Sequence, residues 1–116
     1  TDHEQALVIA RQRGDYRSVY NYLRNLGATY DSQGQYLTAI EYYNQSLTIA
    51  RELGDRSSEE SSLSKLGNDY QWLGQYQTGI DYHEQALTIA QELGNRQGER
   101  EHLSNLGSAH RELNRY

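Results

Sequence analysis

The sequence predicts an all-α solenoid, a single stack of antiparallel helix pairs, from three observations. First, the chain repeats itself at an offset of 40 residues: Leu23, Leu26, Gly27, Tyr30, Gly34, Tyr36 and Ile40 fall on Leu63, Leu66, Gly67, Tyr70, Gly74, Tyr76 and Ile80. About half of positions 17–56 are identical to positions 57–96, and a fixed period of this size marks stacked repeats. Second, apolar residues recur at helical spacing inside each period. Third, there is no Pro to interrupt a helix, and Gly punctuates the pattern at regular places.

The first element, over 2–13, reads as a second helix without its first. His3–Ala10 matches His83–Ala90 at all but one position, and Ala6, Leu7, Ile9 and Ala10 form an apolar stripe. Gly14 stops this helix in the left-handed conformation, and Asp15 caps the next one. Gly54-Asp55 and Gly94-Asn95 repeat that punctuation. A first helix is expected from about Tyr16 to Gln33, with Val19, Leu23, Leu26 and Tyr30 on one face. Gly34 ends it, and Tyr36–Leu53 returns antiparallel through Ile40, Tyr43, Leu47 and Ala50.

The second period runs likewise, from Arg56 to Leu73 and from Tyr76 to Leu93. A last first helix spans Arg96 to about Leu113, with Asn114 in the slot of Gly34 and Gly74, where it tolerates the left-handed region. The expected organisation is one domain over 1–116: a half repeat (1–14), two full repeats (15–54 and 55–94) and a closing half repeat (95–116). Gly27, Gly67 and Gly107 lie inside helices, where each costs about 1 kcal/mol relative to Ala. The expected compensation is close approach of the partner helix, with Ala39 or Gly79 opposite and Tyr43 or His83 nearby.

Composition limits the function. A net charge of −5 argues against nucleic acid, whose phosphates require a basic surface. With no Cys there is no disulfide framework or thiolate chemistry. The longest aliphatic run, Ala6–Ala10, is far short of the roughly 20 residues of a membrane span. No signal segment opens the chain, so a cytoplasmic setting is the default. The chain starts without Met, which fits a segment of something longer. No phosphate loop, nucleophile elbow or isolated carboxylate pair is visible, so no catalysis and no cofactor are expected.

Leu63-x-x-Leu66-Gly67-x-x-Tyr70-x-x-x-Gly74-x-Tyr76, followed by Gly79, His83 and Ala86, resembles the signature of the tetratricopeptide repeat. That family usually repeats every 34 residues and closes with Pro. Here Arg51-Glu-Leu-Gly or Gln91-Glu-Leu-Gly extends the second helix instead. The longer form is similar to the repeats of kinesin light chains, spindle-orientation G-protein modulators and bacterial signalling proteins. The resemblance covers essentially the whole chain. It implies a right-handed superhelix whose first helices line a concave groove, and a non-catalytic scaffold that binds a protein or extended peptide.

The ligand-facing positions of the family transfer to Asn21, Arg24, Asn25, Ala28, Asp31 and Ser32 on the first wall helix. On the second they transfer to Ser61, Ser64, Lys65, Asn68, Gln71 and Trp72, and on the third to Glu101, Ser104, Asn105, Ser108, Arg111 and Glu112. Wall helices about 10 Å apart would span roughly 20–25 Å, enough for about seven extended residues. Asn25 and Asn105, with Lys65 between them, form one row. An Asn amide both donates and accepts, so such a row can pair with a peptide backbone, or equally bond a neighbouring helix. Some relatives hold a C-terminal carboxylate in a clamp of Lys, Asn and Arg. Arg24 and Asn68 match two of its positions, but Ala28, Glu101 and Asn105 do not, which disfavours that ligand.

Trp72 stands where the sister repeats have Ser32 and Glu112. It therefore reads as an exposed anchor or as a ring folded over its own helix end. His3 and His83 share the slot of Tyr43, and His110 that of Tyr30 and Tyr70. They read as core histidines with hydrogen-bond partners, and the lone Glu99-x-x-His102 is too little for a metal. Tyr16, Tyr20 and Tyr22 lack counterparts in the second repeat and either extend the groove or cover the opening helix. The half repeats at either end admit an alternative role, head-to-tail assembly of copies through the end helices. A third reading is a regulatory segment of a larger enzyme.

Overall fold

The structure, a computed structural model, describes residues 5, 8, 9 and 11–115. Its helices follow the predicted rhythm: α1 (Tyr16–Ser32), α2 (Tyr36–Leu53), α3 (Arg56–Trp72), α4 (Tyr76–Leu93) and α5 (Arg96–Asn114). No strand occurs among the described residues, and residues 5, 8, 9, 11 and 12 are also helical. The expected stripe through Ala6, Leu7 and Ala10, and the His3 slot, lie outside the described residues.

The turns explain these boundaries. Asp15, Asp55 and Asn95 accept a backbone N–H from Ser18, Ser58 and Gly98 at 3.2, 3.2 and 3.0 Å, each cap contributing about 1 kcal/mol. Gly34 and Gly74 take φ of 75° and 81°, which lets the chain reverse so that Gln35 and Gln75 N–H return to Tyr30 and Tyr70 oxygens at 2.9 Å. Asn114 departs from expectation. It stays helical, and the helix ends at Arg115 with φ −82°.

Each helix packs on its neighbours in the chain, and α3 also touches α5. The fold is therefore an open solenoid, 46 × 32 × 17 Å in extent. Its radius of gyration of 14.7 Å exceeds the roughly 13 Å of a compact domain of this length. One core joins Ala39, Ile40, Tyr43 and Leu47 of α2 to Leu63 and Leu66 of α3 and Ala86 and Ile89 of α4. A second joins Val19, Tyr20 and Leu23 of α1 to Ile49 and Ala50 of α2. Stacked ring pairs Tyr30–Tyr42 and Tyr70–Tyr82, with centroids 5.6 and 5.4 Å apart, repeat one contact in both repeats.

Equivalent slots differ at the ends of the stack. Leu23 and Leu63 are 0% and 1% exposed, whereas Leu103 is 55% exposed. Ile49 and Ile89 are buried, whereas Ile9 is 48% exposed. His110 is exposed instead of core-lining; among the described residues no tyrosine stacks on it as Tyr42 and Tyr82 stack on its counterparts. His83 is buried as expected, but neither ring nitrogen has the expected partner. Tyr20 is buried in the second core, and its hydroxyl donates to the Ser58 carbonyl at 3.2 Å, tying α1 to α3.

Of the three glycines that share one repeated helical position, a ring explains two. A Cβ on Gly27 would lie 2.7 Å from Tyr43 Cε1, and one on Gly67 would lie 2.7 Å from His83 Cε1. A Cβ on Gly107 would meet only Arg111 Nη1 at 3.7 Å. Gly27→Ala and Gly67→Ala are therefore expected to lose about 1–3 kcal/mol through overpacking. Gly107→Ala should gain about 0.5–1 kcal/mol from helix propensity alone. Urea unfolding of the three variants checks this, and a shared sign at all three positions would contradict the ring-in-slot account.

Candidate functional site

The first helices α1, α3 and α5 form one wall, stitched by contacts from each helix to the next. Tyr20 reaches Ser58 from α1, and Gln71 Nε2 of α3 donates to Ser108 Oγ of α5 at 3.1 Å. Glu60 occupies the repeat slot of Tyr20 and does the same job with different chemistry. Its buried carboxylate sits 2.8 Å from His102 Nε2 and accepts from Asn95 Nδ2 at 3.3 and 3.2 Å. Gly98 makes room for it, since a Cβ there would meet Glu60 Oε2 at 2.5 Å.

Two clefts open on this wall, on either side of Asn68 and Trp72. One, of about 390 Å³, is lined by Asn68, Gln71, Trp72, Tyr76, Asn105, Ser108 and Glu112. The other, of about 400 Å³, is lined by Ala28, Asp31, Ser32, Tyr36, Tyr43, Lys65, Asn68, Asp69 and Trp72. Trp72 is 72% exposed. Its ring lies parallel to that of Tyr36, with centroids 6.0 Å apart and an interplanar angle of 4°. It is thus held by the neighbouring repeat and not folded over its own helix end. The stack leaves most of the indole presented to solvent.

The second cleft has an acidic floor. Asp31 and Asp69 both line it, close enough to interact, and a hydrogen bond between two carboxyl groups requires that one of them carry a proton. Burial first, then the hydrogen bond and charge of Asp31, push the Asp69 pKa up to about 9, against a smaller opposing pull from Lys65. Tyr43 donates to Asp31 Oδ2 at 3.0 Å. Its hydroxyl is itself pushed up by burial and then by the Asp31 charge. Among the described residues no group of three or more His, Asp or Glu gathers as metal ligands would, and no helix is long and apolar enough to cross a membrane.

A family profile described as tetratricopeptide repeat matches residues 1–52 and 58–116. The chain belongs to the tetratricopeptide repeat family. Solved tetratricopeptide structures share the fold. The TPR domain of Arabidopsis FLU superposes with a TM-score of 0.82 at 22% identity, covering 85% of this chain and 83% of that one. A Signal Transduction ATPase with Numerous Domains from Pyrococcus horikoshii, which has a tetratricopeptide repeat sensor, superposes at 0.79 with 24% identity. That match covers 92% of this chain but only 17% of the ATPase. Among curated proteins none matches the chain.

On this tetratricopeptide wall the residues expected from sequence separate into groups. Asn68, Gln71, Trp72, Asn105 and Ser108 share one cleft, and Lys65 joins Asn68 and Trp72 in the other. Glu101 and Lys65 border a smaller recess beside Glu60 and His102. Asn21, Arg24, Asn25 and Arg111 are exposed and line none of these clefts. Asp69, which sequence reasoning passed over, is the most buried acid of the wall at 1% exposure. A signal for it existed: Asp69 replaces Thr29 and Ala109 of the sister repeats, an ionisable group where they have small, uncharged side chains.

Proposed function

We propose that this segment is a scaffold that holds an extended peptide of a protein partner along the wall of α1, α3 and α5. Tetratricopeptide folds serve generally as protein-interaction scaffolds, and three features of this wall support such a use. The observation that carries the reading is the pair of clefts flanking Asn68 and the exposed, stacked Trp72. An amide between two clefts can pair with peptide backbone on both sides, while an indole whose rotamer is already held loses little entropy on binding. Asn105 extends the amide row, and Gln71 and Ser108, bonded to each other, keep the first cleft in shape.

A selection from a library of displayed random nonapeptides tests the reading. Peptides captured by the wild type are expected to lose at least roughly tenfold in affinity for Asn68→Ala/Asn105→Ala/Trp72→Ala, as removal of an aromatic anchor and two paired amides predicts. These positions are half-buried or exposed, so the triple variant should keep its helical content. Unchanged capture would overturn the groove reading and move the contact to the ends of the stack, where Leu103 stands exposed.

A further inference from the structure

The floor of the second cleft is poorly designed for stability and well suited to a cation. Asp69 is 1% exposed, and Asp69 Oδ2 and Asp31 Oδ1 are buried with no hydrogen-bond partner among the described residues. Asn or Ser at position 69 could bond Asp31 without a buried second acid. The pair thus retains acceptor capacity that nothing in the fold uses, and it faces a cleft of about 400 Å³. One side of that cleft is the parallel Tyr36–Trp72 stack. Acceptors on the floor and an aromatic face at the side together match a planar, donor-only cation. A guanidinium offers five N–H donors in a fixed fork and packs on aromatic rings, which a compact ammonium does less well.

We propose that this cleft receives an arginine side chain of the bound peptide, its guanidinium bridging Asp31 and Asp69 and its plane lying on the Tyr36–Trp72 pair. The inference rests on the groove reading above and adds a specificity to it. Binding proceeds with loss of the shared proton: the Asp69 O–H breaks, the proton passes to buffer, and both carboxylates face the cation. Charge complementarity favours this exchange, because the incoming positive charge replaces the proton that had allowed the two acids to coexist. The other titratable or charged groups near the pair are Tyr43 from α2, Lys65 from α3 and Arg24 from α1. Tyr43 already donates to Asp31, and among the described residues Lys65 forms no ion pair with either acid, so the site is not filled from within.

The test uses Nα-acetyl-argininamide, with the uncharged citrulline analogue as control, and the whole chain as it stands. Calorimetry at pH 7 in buffers of different ionisation enthalpy reads proton release, and carboxyl ¹³C shifts locate it. The wild type should bind the arginine compound with release of a proton, and the Asp69 carboxyl resonance should move to its ionised position. The citrulline analogue should bind at least roughly tenfold more weakly, as loss of a charge-assisted pair predicts. Asp69→Asn, a variant expected to be more stable than the wild type, should bind more weakly and release no proton. Asp31→Asn/Asp69→Asn should not bind.

Equal binding of the two compounds, buffer-independent heats in the wild type, or no binding at all would overturn the proposal. The peptide selection separates the two readings. Peptides that depend on Asn68, Asn105 and Trp72 but carry no fixed arginine would sink the arginine site and leave the groove standing. Proton release with argininamide would support the site even if no peptide were captured by the groove.

Discussion

Replacing Asp69 by Asn is expected to raise stability at pH 7 by about 2–4 kcal/mol and to abolish the loss of stability towards alkaline pH. The gain comes from a difference in bound protons between the native and unfolded chain. Unfolded Asp69 ionises near 3.8, whereas in the fold its pKa is raised to about 9. Between those values the native state holds a proton that the unfolded chain has released. Stability from this group is therefore complete below 3.8 and is lost as pH rises towards 9, by about 1.4 kcal/mol per pH unit.

His83 does the opposite. Burial, and then the neighbouring His102, lower its pKa from 6.5 to about 4. The unfolded chain binds a proton there that the native state refuses, so stability is full above 6.5 and falls as pH drops towards 4. The two slopes cancel between about 4 and 6.5, leaving the Asp69 slope alone from 6.5 to about 9. Asp55, held low chiefly by its hydrogen bond from Arg17, acts only below its ordinary value of 3.8. The wild type should thus be flat in acid and lose stability towards alkaline pH. Asp69→Asn removes one slope, and its amide donates to Asp31 in place of the shared proton. The variant should gain stability as pH rises from 4 to 6.5 and then stay level. Urea unfolding of both proteins across this window decides it, and parallel curves would show that Asp69 is ionised in the native state.

His102→Ala should cost about 1–3 kcal/mol, the penalty of depriving a buried carboxyl oxygen of its hydrogen-bond partner. The ring nitrogen lies 2.8 Å from Glu60 Oε2, and the two side chains are only 4% and 8% exposed. Without the ring the Glu60 carboxylate keeps Asn95 and the positive N-terminal end of α5, which limits the loss but leaves one oxygen short of a donor. An apolar pair, Glu60→Leu/His102→Leu, should recover to within about 1 kcal/mol of the wild type, because both partners leave together. The damage should be local. In a solenoid each unit is stabilised by its neighbours, so amides of α5 should exchange faster while those of α1 and α2 keep their protection. Equal acceleration in all helices, or a cost under about 1 kcal/mol, would mean that the contact is incidental.

Much of this was legible in the sequence. The glycine-and-cap punctuation fixed both ends of α2 and α4 and placed α1, α3 and α5 to within a residue or two. The slots of Leu23 and Leu63 are core because every period offers the same apolar face. Reading failed where a slot was assumed to mean the same thing in every repeat. Among the described residues no ring lies against Gly107 and no tyrosine stacks on His110. The expected wall set Asn68, Trp72 and Asn105 on neighbouring helices, and the three line one cleft. It was incomplete because it considered each repeat alone.

The forty-residue period, the helical spacing and the caps determined the class of fold, since these are local properties carried by residues near one another in the chain. The tertiary structure decided which residues of different repeats meet. Asp31 and Asp69 stand at different places in their repeats, as do Glu60 and His102, and nothing in the period pairs them. Their chemistry arises only when α1, α3 and α5 come side by side. Burial removes the water that would otherwise let each group titrate alone.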